Sequence, residues 1–119
     1  MADQPHDVLQ VINQVATALT ENNPSDALIP IDKSLPNYNT LENEFIGLTS
    51  AYLITNEVEV LDEDDSADQT LLTLRWALTL ASKETGESNA RSAEVRVRLR
   101  SQKGKWKIVE LSPVDIFTP

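Results

Sequence analysis

There is no cysteine among these 119 residues and only one histidine. Without a thiol, disulfides, thiolate metal sites and cysteine nucleophiles are excluded. The lone histidine is His6, which reads as a solvated residue at the start of the first helix. No paired-histidine metal site can be assembled around it, and no Ser–His–Asp relay is evident. Three glycines leave no glycine-rich loop to cradle a phosphate. No apolar run approaches the ~20 residues that cross a bilayer. The opening stretch MADQPHDVLQ lacks the basic and apolar regions of a signal peptide. Export with a removed signal stays open, and the compartment is left unassigned.

Charge is plentiful and mostly acidic. Nineteen acids against ten Lys and Arg give a net charge of −9 and a pI near 4.4. Nucleic-acid binding draws on Lys and Arg at phosphates, so it is not expected. The distribution is uneven. Residues 1–69 hold fourteen acids and one base, Lys33, for −13; residues 70–119 hold five acids and nine bases, for +4. Such a split suits two partners, or one domain whose halves attract each other.

The hydrophobic pattern changes period along the chain. In HDVLQVINQVATALT, Val8, Ile12, Val15 and Leu19 recur at helical spacing. ENNP ends that helix, with Asn23 and Pro24 placed to start a short one through Ala27 and Leu28. Pro30 and Pro36 break the chain. A third helix is expected in NYNTLENEFIGLTS, with Asn39 and Glu42 resembling a capping box and Leu41, Phe45 and Leu48 on one face. From Ala51 the period becomes two. Ile54, Val58 and Val60 alternate with Glu57 and Glu59. DEDDSAD reads as a polar hairpin turn. Leu72, Leu74, Trp76, Leu78 and Leu80 then share one parity, as do Ala93, Val95, Val97 and Leu99 on the next strand. In KWKIVEL both parities mix apolar and charged residues, which implies either two covered faces or a bulge. Helices segregated before a four-strand meander indicate one α+β domain over 1–119, its helices packed on one face of an antiparallel sheet.

The amphipathic first helix, YNTLENEFIGLTS before the sheet, the long strand LRWALTL and the closing GKWKIVELSPVDIF resemble the nuclear transport factor 2-like superfamily. That superfamily has a cystatin-like α+β cone fold and includes ketosteroid isomerase, scytalone dehydratase and polyketide cyclases. More narrowly, it resembles small bacterial members of unassigned function. It implies a strongly curved sheet and helices enclosing a conical pocket. Members use that pocket for catalysis or ligand binding, or use the outer sheet face for dimers and partners.

The residues expected to face the cone carry no carboxylate, histidine or tyrosine on the middle strands, so no catalytic residue is assigned, nor any cofactor or metal. Candidate pocket lining is Tyr38, Phe45, Tyr52, Trp76, Asp32 and Asp115. The expected role is a non-catalytic domain that takes a small hydrophobic ligand or a protein partner. The alternative is a lyase or isomerase using Asp32 or Asp115, with a raised pKa, beside Tyr38 or Tyr52. The alternating Asp62, Asp64, Ser66 and Asp68 echo a calcium loop, but Ala67 and Thr73 stand where it needs glycine and glutamate. In EVRVRLR, Arg96, Arg98 and Arg100 lie opposite the core parity, as does Arg75. These four form a candidate interface, with a homodimer as the expected partner.

Overall fold

The computed structural model describes residues 4–102, 105–112 and 115–118, with side chains from Val8 onward. Helix α1 (Gln4–Thr20) buries Val8, Ile12, Val15, Ala18 and Leu19 along one stripe. It closes at Asn22, whose φ is 58°. Asn22 N–H donates to Leu19 O at 3.0 Å, and Asn23 N–H to Ala18 O at 2.8 Å. This is a Schellman ending, with asparagine in the left-handed position that glycine usually takes. Asn23 then caps α2 (Pro24–Leu28), its side chain accepting from Asp26 N–H at 3.2 Å. Helix α3 (Tyr38–Ala51) starts earlier than the expected capping box: Asn37 is its N-cap and makes no side-chain cap. Asn39 therefore lies inside the first turn.

Four antiparallel strands follow in sheet order β1-β2-β3-β4. They are β1 (Tyr52–Asp65), β2 (Gln69–Ser82), β3 (Ser88–Gln102) and β4 (Lys105–Ser112). A 3-10 turn, η1 (Asp115–Phe117), ends the described chain along with Thr118. Strand β1 runs through most of the acid-rich stretch expected to be a turn. The reason is a bulge at Leu61: Val60 pairs with Leu74 and Asp62 with Thr73, so pairing continues to Asp65. A second bulge decides the ambiguous last strand. Glu110 pairs with Arg98 and Ile108 with Leu99, leaving Val109 as the extra residue. Parity shifts there, so Ile108 and Leu111 both reach the core while Lys107 and Glu110 both face out. Bulges in both flanking strands bend the sheet where it must curl around the helices.

The far edge of β4 is partly covered. Ile108 N–H donates to Pro30 O at 2.9 Å, and Asp32 N–H to Ile108 O at 2.8 Å. Between helices and sheet lies one core. Leu72, Leu74, Trp76, Leu78 and Leu80 meet Val95, Val97 and Leu99, all essentially without solvent contact. Phe117 joins them, edge-on to Phe45 at 5.2 Å between ring centroids and to Trp76 at 5.4 Å.

One polar residue ties helix to sheet. Asn56 donates to Ala16 O at 2.9 Å and Thr20 Oγ1 at 3.0 Å, and accepts from Trp76 Nε1 at 2.9 Å. Asn56→Ala would leave the indole N–H and a helix carbonyl unpaired at a half-buried site. We expect it to lower stability by about 2 kcal/mol in urea denaturation. Thr55→Ala, on the exposed side of the same strand, should change it by less than about 0.5 kcal/mol.

Candidate functional site

Two surfaces qualify: the inside of the cone and the outer face of the sheet. Inside, Phe45 and Trp76 are fully buried and packed on each other's neighbours, with Phe117 between them. The remaining sequence candidates lie apart. Tyr38 and Asp32 line one surface depression of about 560 Å³ with Ile29, Lys33 and Lys107. Tyr52 lines another of about 520 Å³ beside Lys83 and Glu84. The two tyrosines stand at opposite ends of α3, about 20 Å apart by helix rise. Asp115 is exposed in η1. Among the described residues, no tyrosine hydroxyl is hydrogen-bonded to a carboxylate. His6 has its backbone in α1, and its side chain lies outside the described residues.

Asp32 is built as a turn acceptor. Its Oδ1 accepts from Ser34 N–H at 2.8 Å and its Oδ2 from Gln102 Nε2 at 3.1 Å. The Ser34 backbone bond above all, with help from the Ser34 side chain, Gln102 and Lys107, holds the carboxyl below its ordinary 3.8. A proton-abstracting base in an apolar cleft needs the opposite shift.

Three polar residues at the cone were not among the sequence candidates. Arg91 shares the inward parity of Ala93 and Val95, and its Nη1 donates to Ile116 O at 3.1 Å and to Thr118 O. Glu44 lies on the helix face of Leu41 and Leu48, and its Oε2 accepts from Thr118 Oγ1 at 2.8 Å. Asn56 lies between Ile54 and Val58 on the inward parity of β1. The signal in each case was a polar side chain at an apolar step of the pattern. Burial pushes the Glu44 carboxyl above its ordinary 4.5; Thr118 pulls it down and nearby Asp115 adds to the rise.

On the outer face, strand register sets charges in rows. Glu59, Arg75 and Glu94 form one row, with Arg75 Nη1 3.1 Å from Glu59 Oε1. Asp62, Thr73, Arg96 and Ser112 form the next. Asp64, Leu71, Arg98 and Glu110 form a third, with Arg98 3.5 Å from Glu110. Arg100 stands between Gln69 and Lys107. A groove of about 480 Å³ runs between the acidic and basic sides, floored by Leu71 and Thr73. Asp62 and Asp64 thus lie in the sheet, not in a loop, and no group of three or more His, Asp or Glu among the described residues could hold a metal ion. No described helix is long and apolar enough to cross a membrane.

No family model matches the chain, and no curated protein does. Solved structures do. A conserved protein from Planctomyces limnophilus superposes with a TM-score of 0.83 at 7% identity, covering 91% of this chain and 92% of its own. A ketosteroid isomerase-like protein from Erwinia carotovora atroseptica gives 0.74 at 14%, covering 93% and 95%. A nuclear transport factor 2-like superfamily protein from Salmonella enterica gives 0.69 at 10%, covering 89% and 86%. The fold is the nuclear transport factor 2-like cone. At these identities the likeness concerns fold, and this cone fold is found both among enzymes and among proteins of unknown function.

Glu44 gives the cone a pH signature. Its raised pKa means the folded state holds that proton more tightly than the unfolded chain does. The penalty for the charged form is therefore absent at low pH and grows as pH rises from about 4.5 through the raised value. Glu44→Gln keeps an acceptor for Thr118 and removes the charge. Thermal unfolding should show the variant more stable than the native chain near pH 7, with the gap closing toward about pH 4. A gap of equal size at both pH values would refute this account of Glu44.

Proposed function

We propose that this domain is a non-catalytic binding module whose working surface is the outer face of the sheet, used to pair with a second copy of the chain. The observation that supports this reading is the charge order on that face. Acids line β1 and bases line β3; Glu57, Glu59, Asp62, Asp64, Arg96 and Arg100 are exposed and Arg98 is half-buried. Arg96 and Arg100 have no ion pair among the described residues, and neither do Glu57, Asp62 and Asp64.

A two-fold axis lying in the interface along β2 carries the β1 of one copy over the β3 of the other. It also preserves the rows. Asp62 of each copy would then meet Arg96 of the other, and Asp64 would meet Arg98. Leu71 and Thr73 lie on the axis and supply apolar contact. Arg75 lies there too, drawn aside by Glu59. Aligned packing of two sheets about 10 Å apart is within reach of these side chains.

The alternative, a lyase or isomerase on a small hydrophobic substrate, draws on the likeness to the ketosteroid isomerase-like protein. It requires a carboxylate with a raised pKa beside a tyrosine in an apolar cavity. Asp32 is held below its ordinary pKa, and inside the cone Phe117 is buried edge-on to Phe45 and Trp76. A small hydrophobic ligand in the cone would have to compete with that ring.

Sedimentation equilibrium tests the pairing. At about 50 mM salt the chain should be dimeric, with association weakened roughly tenfold at about 500 mM. Arg96→Asp with Arg98→Asp should give a monomer. Adding Asp62→Arg and Asp64→Arg to the same chain should restore the dimer. A native chain that stays monomeric at low salt and high concentration would remove the proposal.

A further inference from the structure

The two outer strands of the sheet end differently. Along β4 the edge is occupied, since Pro30 and Asp32 bond to the backbone of Ile108 and form a parallel bridge at Ile31. Along β1 the edge is closed at its start, where Asn22 Nδ2 donates to Tyr52 O at 3.2 Å. From Thr55 to Val60, the backbone bonds to nothing among the described residues except across the ladder to β2. Alternate amides and carbonyls of that stretch therefore point outward without a protein partner. The bulge at Leu61 ends the regular stretch.

A groove runs beside this edge. Asn13, Ala16, Thr17 and Thr20 of α1 line it with Asn56 and Val58 of β1, enclosing about 260 Å³ with no charged side chain. On the convex side of the same stretch stand Glu57 and Glu59, both exposed. Beyond the bulge, Asp62 to Asp65 continue the acidic rim. Glu63 and Asp65 crowd each other there: the hydrogen bond between them, then desolvation and the Asp65 charge, holds the Glu63 carboxyl above its ordinary 4.5. The chain has no Lys or Arg between Lys33 and Arg75, and the ion pair of Arg75 is with Glu59. The rim is thus short of bases.

We propose that the β1 edge takes an extended basic peptide as a fifth strand, one in which arginine or lysine alternates with valine or isoleucine. Backbone hydrogen bonds hold such a strand, and side chains select it. Residues of one parity lie beside Glu57 and Glu59, where a base is favoured and an acid is repelled. Residues of the other parity lie beside Asn56, Val58 and Val60, next to the uncharged groove, which suits a β-branched apolar side chain. Val60 is 37% exposed, and the added strand covers it. A second copy of β1 is a poor occupant, because it would set Glu57 and Glu59 against the same acids. The inference does not rest on face-to-face pairing between copies, because the edge lies at the rim of the sheet and the paired rows lie on its convex face.

The probe is a labelled peptide of alternating arginine and valine, RVRVRVR, titrated into the full chain by fluorescence anisotropy. Its control is RRRRVVV, which has the same composition and charge but cannot place bases and valines on opposite faces of a strand. The alternating peptide should bind at least about tenfold more tightly at about 150 mM salt. An added strand meets β1 through one of its own edges. N-methylation of the amides on that edge should therefore cost about tenfold or more, and of the alternate set less than about twofold. Glu57→Lys should weaken binding about tenfold, and Thr17→Trp, which fills the groove from an exposed position on α1, should weaken it as well. Bound peptide should slow hydrogen exchange at alternate amides of Thr55–Val60. Equal affinity for the two peptides, equal effects of the two methylation patterns, or exchange in Thr55–Val60 that the peptide leaves unchanged would each overturn the proposal.

Discussion

The fold turns on the indole of Trp76. Its ring fills the middle of the cone, its edge receives Phe117, and its N–H is spoken for by Asn56, which also holds the last turns of α1. Helix, sheet and closing 3-10 turn are thus joined through one side chain. A large ring packs well at the centre of a curved sheet, but a buried indole N–H needs a partner. Asn56 supplies it from the neighbouring strand, where Val58 pairs with Trp76 two residues along. The polar residue at an inward position is the condition for having tryptophan there at all.

With the interior given over to packing, ionic chemistry moves to the convex face. Antiparallel register lays acids of β1, bases of β3 and the mixed charges of β4 side by side, with β2 nearly neutral between. Exposed pairs such as Glu59–Arg75 add little stability, well under about 1 kcal/mol each. Their value lies in direction: like charges on one strand and opposite charges two strands away make a surface that reads differently from its two sides. The same order explains the opposed charges of the two halves of the chain, which meet within one sheet.

Much of this was legible in the residues. Period-two alternation assigned every buried position from Leu72 to Leu80 and from Val95 to Leu99, and the outward direction of Arg75, Arg96, Arg98 and Arg100. The helices and the meander followed from period and breakers, and the resemblance to the nuclear transport factor 2-like cone holds at the level of fold. Other features were not legible. The length of β1 was hidden because an acid-rich stretch looks like a turn until its partner strand is known. The parity of β4 was undecided because a bulge is a relation between two strands. Arg91 escaped notice although it continues the inward series of β3 by one step. An arginine there finds its partners in carbonyls 25 and 27 residues on.

By itself the sequence determined which side of each element is apolar, since that depends on spacing within one segment and on the water-avoidance of its side chains. It also determined where the first helix must end, through Asn22, Asn23 and Pro24. Tertiary structure decided what meets across those faces: that Phe117 closes the cone, that Glu44 and Arg91 flank it, and that Asp32 is a turn acceptor held ionised. The reason is distance along the chain. Glu44 and Thr118 are 74 residues apart, and no local pattern records a contact made only when the sheet curls and the helices lie across it.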